Sequence, residues 1–143
     1  MNRLLSRTLP LANVNAALLI LRAGVALLML THGYPKLLRL ISNEPVTFTA
    51  ILGMSATLSL VLAVFAEFLC SLLIFFGAAT RLASIPLIVT MAVAAFHVHS
   101  GDPFSGKEKA LLFLLIYLVL LFTGGGKFSI DHLLTKKRLK KRT

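Results

Sequence analysis

Residues 18–40 constrain the fold most, because they form an apolar membrane span that is interrupted by charge. The run LLILRAGVALLMLTHGYPKLLRL places Arg22 inside otherwise apolar sequence, and His32 and Lys36 follow near its end. Pro35 lacks a backbone N–H and disfavours helix at Tyr34, so we expect the helix to break or kink there. Ionisable side chains are costly in hydrocarbon, and the rest of the chain is therefore expected to supply partners for them.

The composition predicts an integral membrane protein made of one domain, residues 1–143. Of the 143 residues 57% are hydrophobic and only 14% are charged, which is more apolar surface than a soluble domain of this length could bury. Cys70 is the single cysteine, so an internal disulfide and a self-contained dithiol mechanism are excluded. We expect it to be an inert thiol inside a span. The sequence also lacks paired-cysteine and cysteine–histidine motifs, and we predict no metal and no covalently bound cofactor.

Turn signals divide the chain into an all-α, four-helix membrane bundle. We place the spans at about residues 16–34, 56–77, 82–97 and 108–123. Short interfacial pieces are expected between and after the spans, at residues 35–42, 46–54 and 128–134.

The distribution of lysine and arginine predicts the orientation. Four spans put both termini on one side, with Arg3, Arg7, Arg81, Lys127 and the cations of the basic tail 136–143, whereas the other side holds Lys36, Arg39, Lys107 and Lys109. This asymmetry predicts cytoplasmic termini in a multi-pass protein of the cell inner (plasma) membrane. The tail is expected to bind anionic lipid. Nucleic acid is not an expected partner, because no aromatic residues interleave with the cations.

Arg22 and Glu67 are predicted to form one buried ion pair. Counted from their span ends at 1.5 Å per residue, their depths in the membrane differ by only about 4 Å. Both residues lie on helix stripes of small side chains, which favours close packing between the helices. The pair could serve only to fix the helix register, or Glu67 could be a proton-linked or quinone-facing carboxylate tuned by Arg22.

A second group of ionisable residues is expected near the outer face of the membrane. It contains His32, Lys36, His97, His99, Asp102 and Glu108. Helical periodicity turns His97 toward the bundle and His99 away from it, so His97 is the expected ligand-binding histidine. These residues could form an ordinary polar interface layer. Alternatively, His32, Lys36, His97 and Glu108 could line a shallow pocket for an anion or a quinone head group.

Six short segments together resemble the DoxX family of small four-span membrane proteins. They run from residue 21 to residue 131 in a fixed order: LRAG (21–24), HGYPK (32–36), AE (66–67), GAATR (77–81), KE (107–108) and GGGKFSID (124–131). The resemblance implies a four-helix membrane bundle and an association with redox systems. One relative in the family is a subunit of thiosulfate:quinone oxidoreductase, and most members have no assigned reaction.

Three functions are compatible with these features. The first is a membrane subunit of an oxidoreductase system that is linked to a quinone or to an anionic sulfur compound. Glu67 and Arg22 would then carry the proton chemistry, and a partner subunit would supply the redox cofactor. The second is a non-catalytic subunit that anchors or assembles its partners, and the third is a small transporter or proton path.

Overall fold

The computed structural model describes residues 11–42 and 44–140, with side chains to residue 138, and this part of the chain is entirely helical. Five helices follow one another: α1 (Leu11–Ile41), α2 (Ala56–Phe76), α3 (Thr80–Val98), α4 (Phe104–Thr123) and α5 (Ile130–Lys140). The predicted cytoplasmic cations Arg3, Arg7, Lys141 and Arg142 lie outside the described residues.

Three of these helices are long and apolar enough to cross a membrane. They are α1 with 31 residues, α2 with 21 and α3 with 19. Helix α4 has 20 residues and is equally apolar in its second half, but it carries Lys107, Glu108 and Lys109 near its start. Helices α2 and α3 agree with the predicted spans to within two residues at each end.

The first span is longer than predicted, because α1 continues through Pro35 to Ile41. Proline removes one backbone donor and crowds the preceding turn, yet the helix remains continuous on both sides of it. Residues 35–42 are therefore part of α1 rather than a separate interfacial piece. The second expected piece, residues 46–54, is irregular and contains a turn at Leu52–Gly53. The third begins two residues later than predicted, as α5.

The apolar core lies between the first four helices. Its fully buried members include Ala26 and Met29 of α1, Ile74 of α2, Leu87 of α3 and Tyr117 of α4. Gly33 brings α1 close to α2, because a Cβ atom at this position would lie 2.6 Å from the carbonyl carbon and oxygen of Glu67. A glycine at this crossing therefore sets the distance between the two backbones.

Two of the helices contain a π-helical turn. Phe65–Cys70 forms one in the middle of α2, and Ala94–Val98 forms the other at the end of α3. The second closes with a bond from the His99 amide to the Ala94 carbonyl, five residues back. A π turn holds one more residue than an α turn, so it rotates the residues that follow by about 100° around the helix. The two turns therefore change which side chains face the bundle.

The end of the bundle near the described termini is closed by the loop between α4 and α5. The Asp131 carboxylate accepts hydrogen bonds from the amides of Ala79 (2.7 Å) and Thr80 (2.9 Å), which caps the start of α3. The Lys127 amide donates to the side chain of Asn15 (2.8 Å), so the loop is also attached to α1. The segment GGGKFSID is thus a docked element of the fold.

Arg22 belongs to this closed end, and the predicted pair between Arg22 and Glu67 is wrong. The buried Arg22 guanidinium donates to the carbonyl of Phe128 at 2.8 Å and fills the space over Gly77. Gly77 has a left-handed backbone with φ of +68° and lacks the Cβ atom that would occupy the position of the guanidinium. The membrane depths predicted for Arg22 and Glu67 are compatible with a contact, but the Arg22 side chain extends toward the loop instead.

Candidate functional site

The Lys36–Glu67 ion pair is the chemical centre of the other half of the bundle. Glu67 lies in the π turn of α2 with its side chain 4% exposed, and Lys36 lies one turn from the end of α1 with its side chain 28% exposed. The Lys36 ammonium donates to Oε1 of Glu67. Burying a carboxylate is costly without a partner, and Lys36 provides one while its other end remains near the surface.

Two cavities meet at this pair. The first has a volume of about 430 Å³ and the second about 330 Å³. Both are lined by Lys36, Glu67, Ala94 and His99, so the ion pair lies in the wall between them. A ligand in either cavity would therefore lie beside the ion pair.

The first cavity is rich in polar and cationic groups. His32 and Lys109 line it together with the ion pair and His99. The His32 ring contacts the edge of Phe113, with centroids 6.1 Å apart and an angle of 88° between the planes. Oε2 of Glu67 is buried and has no hydrogen-bond partner among the described residues. The lining of this cavity therefore suits a small polar or anionic group.

The second cavity is apolar and is covered by the irregular segment 45–54. Its walls are formed mainly by the aliphatic and aromatic side chains of Phe48, Ile51, Leu52, Met54, Leu62, Ala63, Val89, Val93 and Val98. The segment is held by a bond from Arg39 to the Thr47 carbonyl (3.2 Å) and by one from the Ile51 amide to Ser59 Oγ (3.1 Å). Lys36 also lies 5.9 Å from the centre of the Phe48 ring. This cavity suits an apolar ring or chain.

The structure brings together some of the predicted ligand-binding residues and separates others. His32 and Lys36 line the first cavity as expected. His97 is exposed and lines neither cavity, whereas His99 lines both, so the expected orientation of the two histidines is wrong. The buried face of α3 is the physical reason, because it runs through Leu87, Met91 and Ala95. His99 follows Ala95 by four residues and shares this face, whereas His97 follows it by only two.

On α4, Lys109 lines the first cavity, whereas its neighbour Glu108, the predicted ligand-binding residue, does not. Glu108 is exposed and does not line either cavity, while Lys109 lines the first cavity with Ala110 and Phe113. Lys109 and Phe113 are four residues apart and share one helix face. That spacing could have identified Lys109 from the sequence, because Phe113 lies on the same buried helix face as Tyr117 and Leu120.

Arg22 takes no part in either cavity. Its contacts are with Phe128, Gly77 and Ser129 at the opposite end of the bundle. Cys70 is a buried free thiol. Within the residues that the structure describes, no three His, Cys, Asp or Glu side chains are close enough to share a metal ion.

Comparison with known proteins identifies the family to which the chain belongs. The DoxX family model matches residues 17–100, which include Lys36, Glu67 and His99. An uncharacterized protein of Haemophilus influenzae is 34% identical over 124 residues, which cover 82% of this chain and 90% of that protein. A second uncharacterized protein of the same organism is 28% identical over 74 residues, about half of each chain (49%). No solved structure matches the chain.

Proposed function

The chain is a membrane protein of the DoxX family, and from that premise we propose that it is a subunit of an oxidoreductase system that binds a quinone head group at the Lys36–Glu67 pair. The observation that carries the proposal is the position of Glu67. Its buried carboxylate lies between a polar and an apolar cavity and has one oxygen without a hydrogen-bond partner among the described residues.

A quinone has a polar head group and an apolar tail, and each of these matches one of the two cavities. Its carbonyl oxygens accept hydrogen bonds, and Lys36 and His32 are donors in the first cavity. Its apolar ring substituents and tail fit beside Phe48 and Leu62 in the second cavity. Glu67 is placed to give a proton to a quinone oxygen or to take one from a quinol.

The electrons must come from elsewhere in the proposed system. Reduction of a quinone consumes two electrons and two protons, and the chain has one cysteine and no motif for a redox cofactor. A partner subunit that carries the cofactor would supply or remove the electrons. In this proposal Glu67 gives or takes the proton, and Lys36 orients the Glu67 carboxylate. Arg22 attaches the C-terminal loop.

The charge of the first cavity also supports an anionic sulfur compound as a ligand. Lys36, Lys109, His32 and His99 face the carboxylate of Glu67 alone, and Lys36 already pairs with it. Lys109 is therefore available to a small anion. Competition between thiosulfate and a quinone for the purified protein would distinguish one shared site from quinone binding alone.

The proposal places the protein in the inner membrane with four spans and cytoplasmic termini. The fourth span is α4, whose charged first turn would lie at the outer surface with the first cavity. Helix α5 exposes Leu133 and Leu134 beside Lys136 and Lys137, a combination that suits the headgroup region of an anionic lipid surface.

The test is purification from native membranes in a gentle detergent, followed by mass spectrometry of the proteins and lipids that remain bound. We expect quinone at near one-to-one ratio and a cofactor-bearing partner protein. The Glu67→Gln variant should lose the quinone, and Glu108→Gln should keep it, because Glu108 is an exposed carboxylate outside both cavities. Quinone present only at the ratio found in bulk lipid would contradict the proposal.

A further inference from the structure

His99 and Asp102 form a hydrogen-bonded pair at the mouth of the two cavities. His99 Nδ1 lies 2.6 Å from Oδ2 of Asp102, and their side chains are 41% and 51% exposed. The turn that follows α3 holds the pair in place, since the Asp102 amide donates to the His99 carbonyl at 3.1 Å. The two residues are therefore held together by both backbone and side chain.

The carboxylate of Asp102 selects the tautomer of the histidine. A carboxylate only accepts hydrogen bonds, so Nδ1 of His99 carries the hydrogen and donates it. Nε2 is then left with a free lone pair. His99 thus contacts the exposed Asp102 and lines both cavities together with Glu67.

We propose that the His99–Asp102 pair exchanges protons between Glu67 and the aqueous surface, an inference that rests on the proposed function. The O–H bond of the protonated Glu67 breaks and an N–H bond forms at Nε2 of His99, through a hydroxyl of the bound ligand or directly. Glu67 is left as a carboxylate beside Lys36, and His99 becomes an imidazolium beside Asp102. No net charge is created in this step, and the imidazolium then releases its proton to water.

The charges around His99 suit such an exchange. Helix α1 contributes Lys36 and His32, α2 contributes Glu67, α4 contributes Lys109, and the loop contributes Asp102. Lys107 lines neither cavity, and its ammonium donates to the Ser100 carbonyl at 2.7 Å. Each of the two proton-carrying groups thus has its own counter-charge, Lys36 for Glu67 and Asp102 for His99.

The test measures how many protons the full-length protein exchanges with the buffer when it binds ubiquinone-1. Isothermal titration calorimetry in two buffers with different ionisation enthalpies gives this number, and it is repeated between about pH 6 and pH 8, where histidine changes charge. In the wild type the number should change with pH. His99→Gln should reduce that change by about half or more.

Two further variants make the result specific. His97→Gln removes a histidine two residues away that lines neither cavity, and it should retain the wild-type pH profile. Asp102→Asn keeps a hydrogen-bond acceptor but removes the counter-charge, so it should flatten the profile as His99→Gln does. A wild-type profile in His99→Gln with intact binding would overturn this inference alone. Absence of ubiquinone-1 binding in the wild type would overturn both the inference and the proposed function.

Discussion

Glu67 and Lys36 form an ion pair in which the carboxylate is buried and the cation is partly exposed. Glu67 is 3% exposed as a whole residue, and its carboxylate would carry a large desolvation cost without a cation. Lys36 offsets that cost from the end of α1, and its partial exposure lowers the cost of burying the cation itself. Because one carboxylate oxygen has no partner among the described residues, the pair can still respond to a ligand.

Removing the lysine alone should therefore cost more stability than removing both charges. We expect Lys36→Met to lower the free energy of unfolding in detergent by about 2 kcal/mol, because it leaves a buried carboxylate that has lost its partner. The double variant Lys36→Met, Glu67→Gln should recover at least about 1 kcal/mol of this loss. Lys109→Met is the matched control and should stay within about 0.5 kcal/mol of the wild type. Strictly additive effects would contradict an energetically coupled pair.

Gly33 is the residue that lets α1 approach the backbone of Glu67. Gly33→Ala should destabilise the protein by about 1–3 kcal/mol, since the new methyl group meets backbone atoms at 2.6 Å that cannot rotate away. Gly24→Ala in the same helix should be neutral or stabilising by up to about 1 kcal/mol, because no atom lies within 4 Å of its Cβ position. Thermal unfolding followed by circular dichroism measures both changes. Equal melting temperatures for the two variants would contradict the close helix crossing.

At the scale of elements, the buried face of each helix determines which side chains reach the two cavities. Regular 3.6-residue periodicity correctly turned Glu67 into the bundle, but on α3 it selected His97 instead of His99. Most positions of α3 are apolar, so the sequence does not mark Leu87, Met91 and Ala95 as its buried face. The partner of Arg22 was missed for a related reason, because the docking of the 124–129 loop depends on contacts more than a hundred residues apart in sequence, such as the bond from Arg22 to Phe128.

The docked loop offers an element-scale prediction. Arg22→Ala should increase hydrogen exchange at the amides of Lys127 and Asp131 by about tenfold, because the guanidinium that attaches the loop to α1 is lost. Arg39→Ala removes an exposed arginine that bonds to Thr47 instead, and it should leave these amides unchanged. Exchange measured by mass spectrometry reports on each segment separately. A uniform increase over all helices, or none at residues 124–131, would contradict the assigned role of Arg22.

At the scale of the whole molecule, hydrophobicity predicted most of the architecture. The long apolar runs located α2 and α3 to within two residues, since a membrane span must satisfy its own backbone hydrogen bonds and is therefore helical. The same requirement explains why α1 continues through Pro35: the helix loses one bond there, whereas a break would leave several groups unpaired. The irregular segment 45–54 was not predicted, because its conformation depends on Arg39, Phe48 and Ser59 in the assembled fold.

The proposed orientation predicts the results of reporter fusions. A green fluorescent protein fused after Thr143 should be fluorescent, and an alkaline phosphatase inserted at Gly101 should be active, since the larger group of cations lies on the side of the termini. Replacing Lys136, Lys137 and Arg138 with glutamine should weaken this preference. An active phosphatase at the C-terminus would contradict four spans with cytoplasmic termini.

The most direct test of the central claim is photo-crosslinking with an azido-quinone in native membranes, followed by peptide mapping. If the Lys36–Glu67 pair holds the head group, adducts should appear on the residues that line the two cavities, such as His32, Phe48 and Phe113, and excess unlabelled quinone should suppress them. Glu67→Gln should reduce these adducts, and Glu108→Gln should not. Adducts that spread over exposed apolar residues outside the cavities, such as Phe122 and Leu82, without competition, would show that the pair does not bind a quinone.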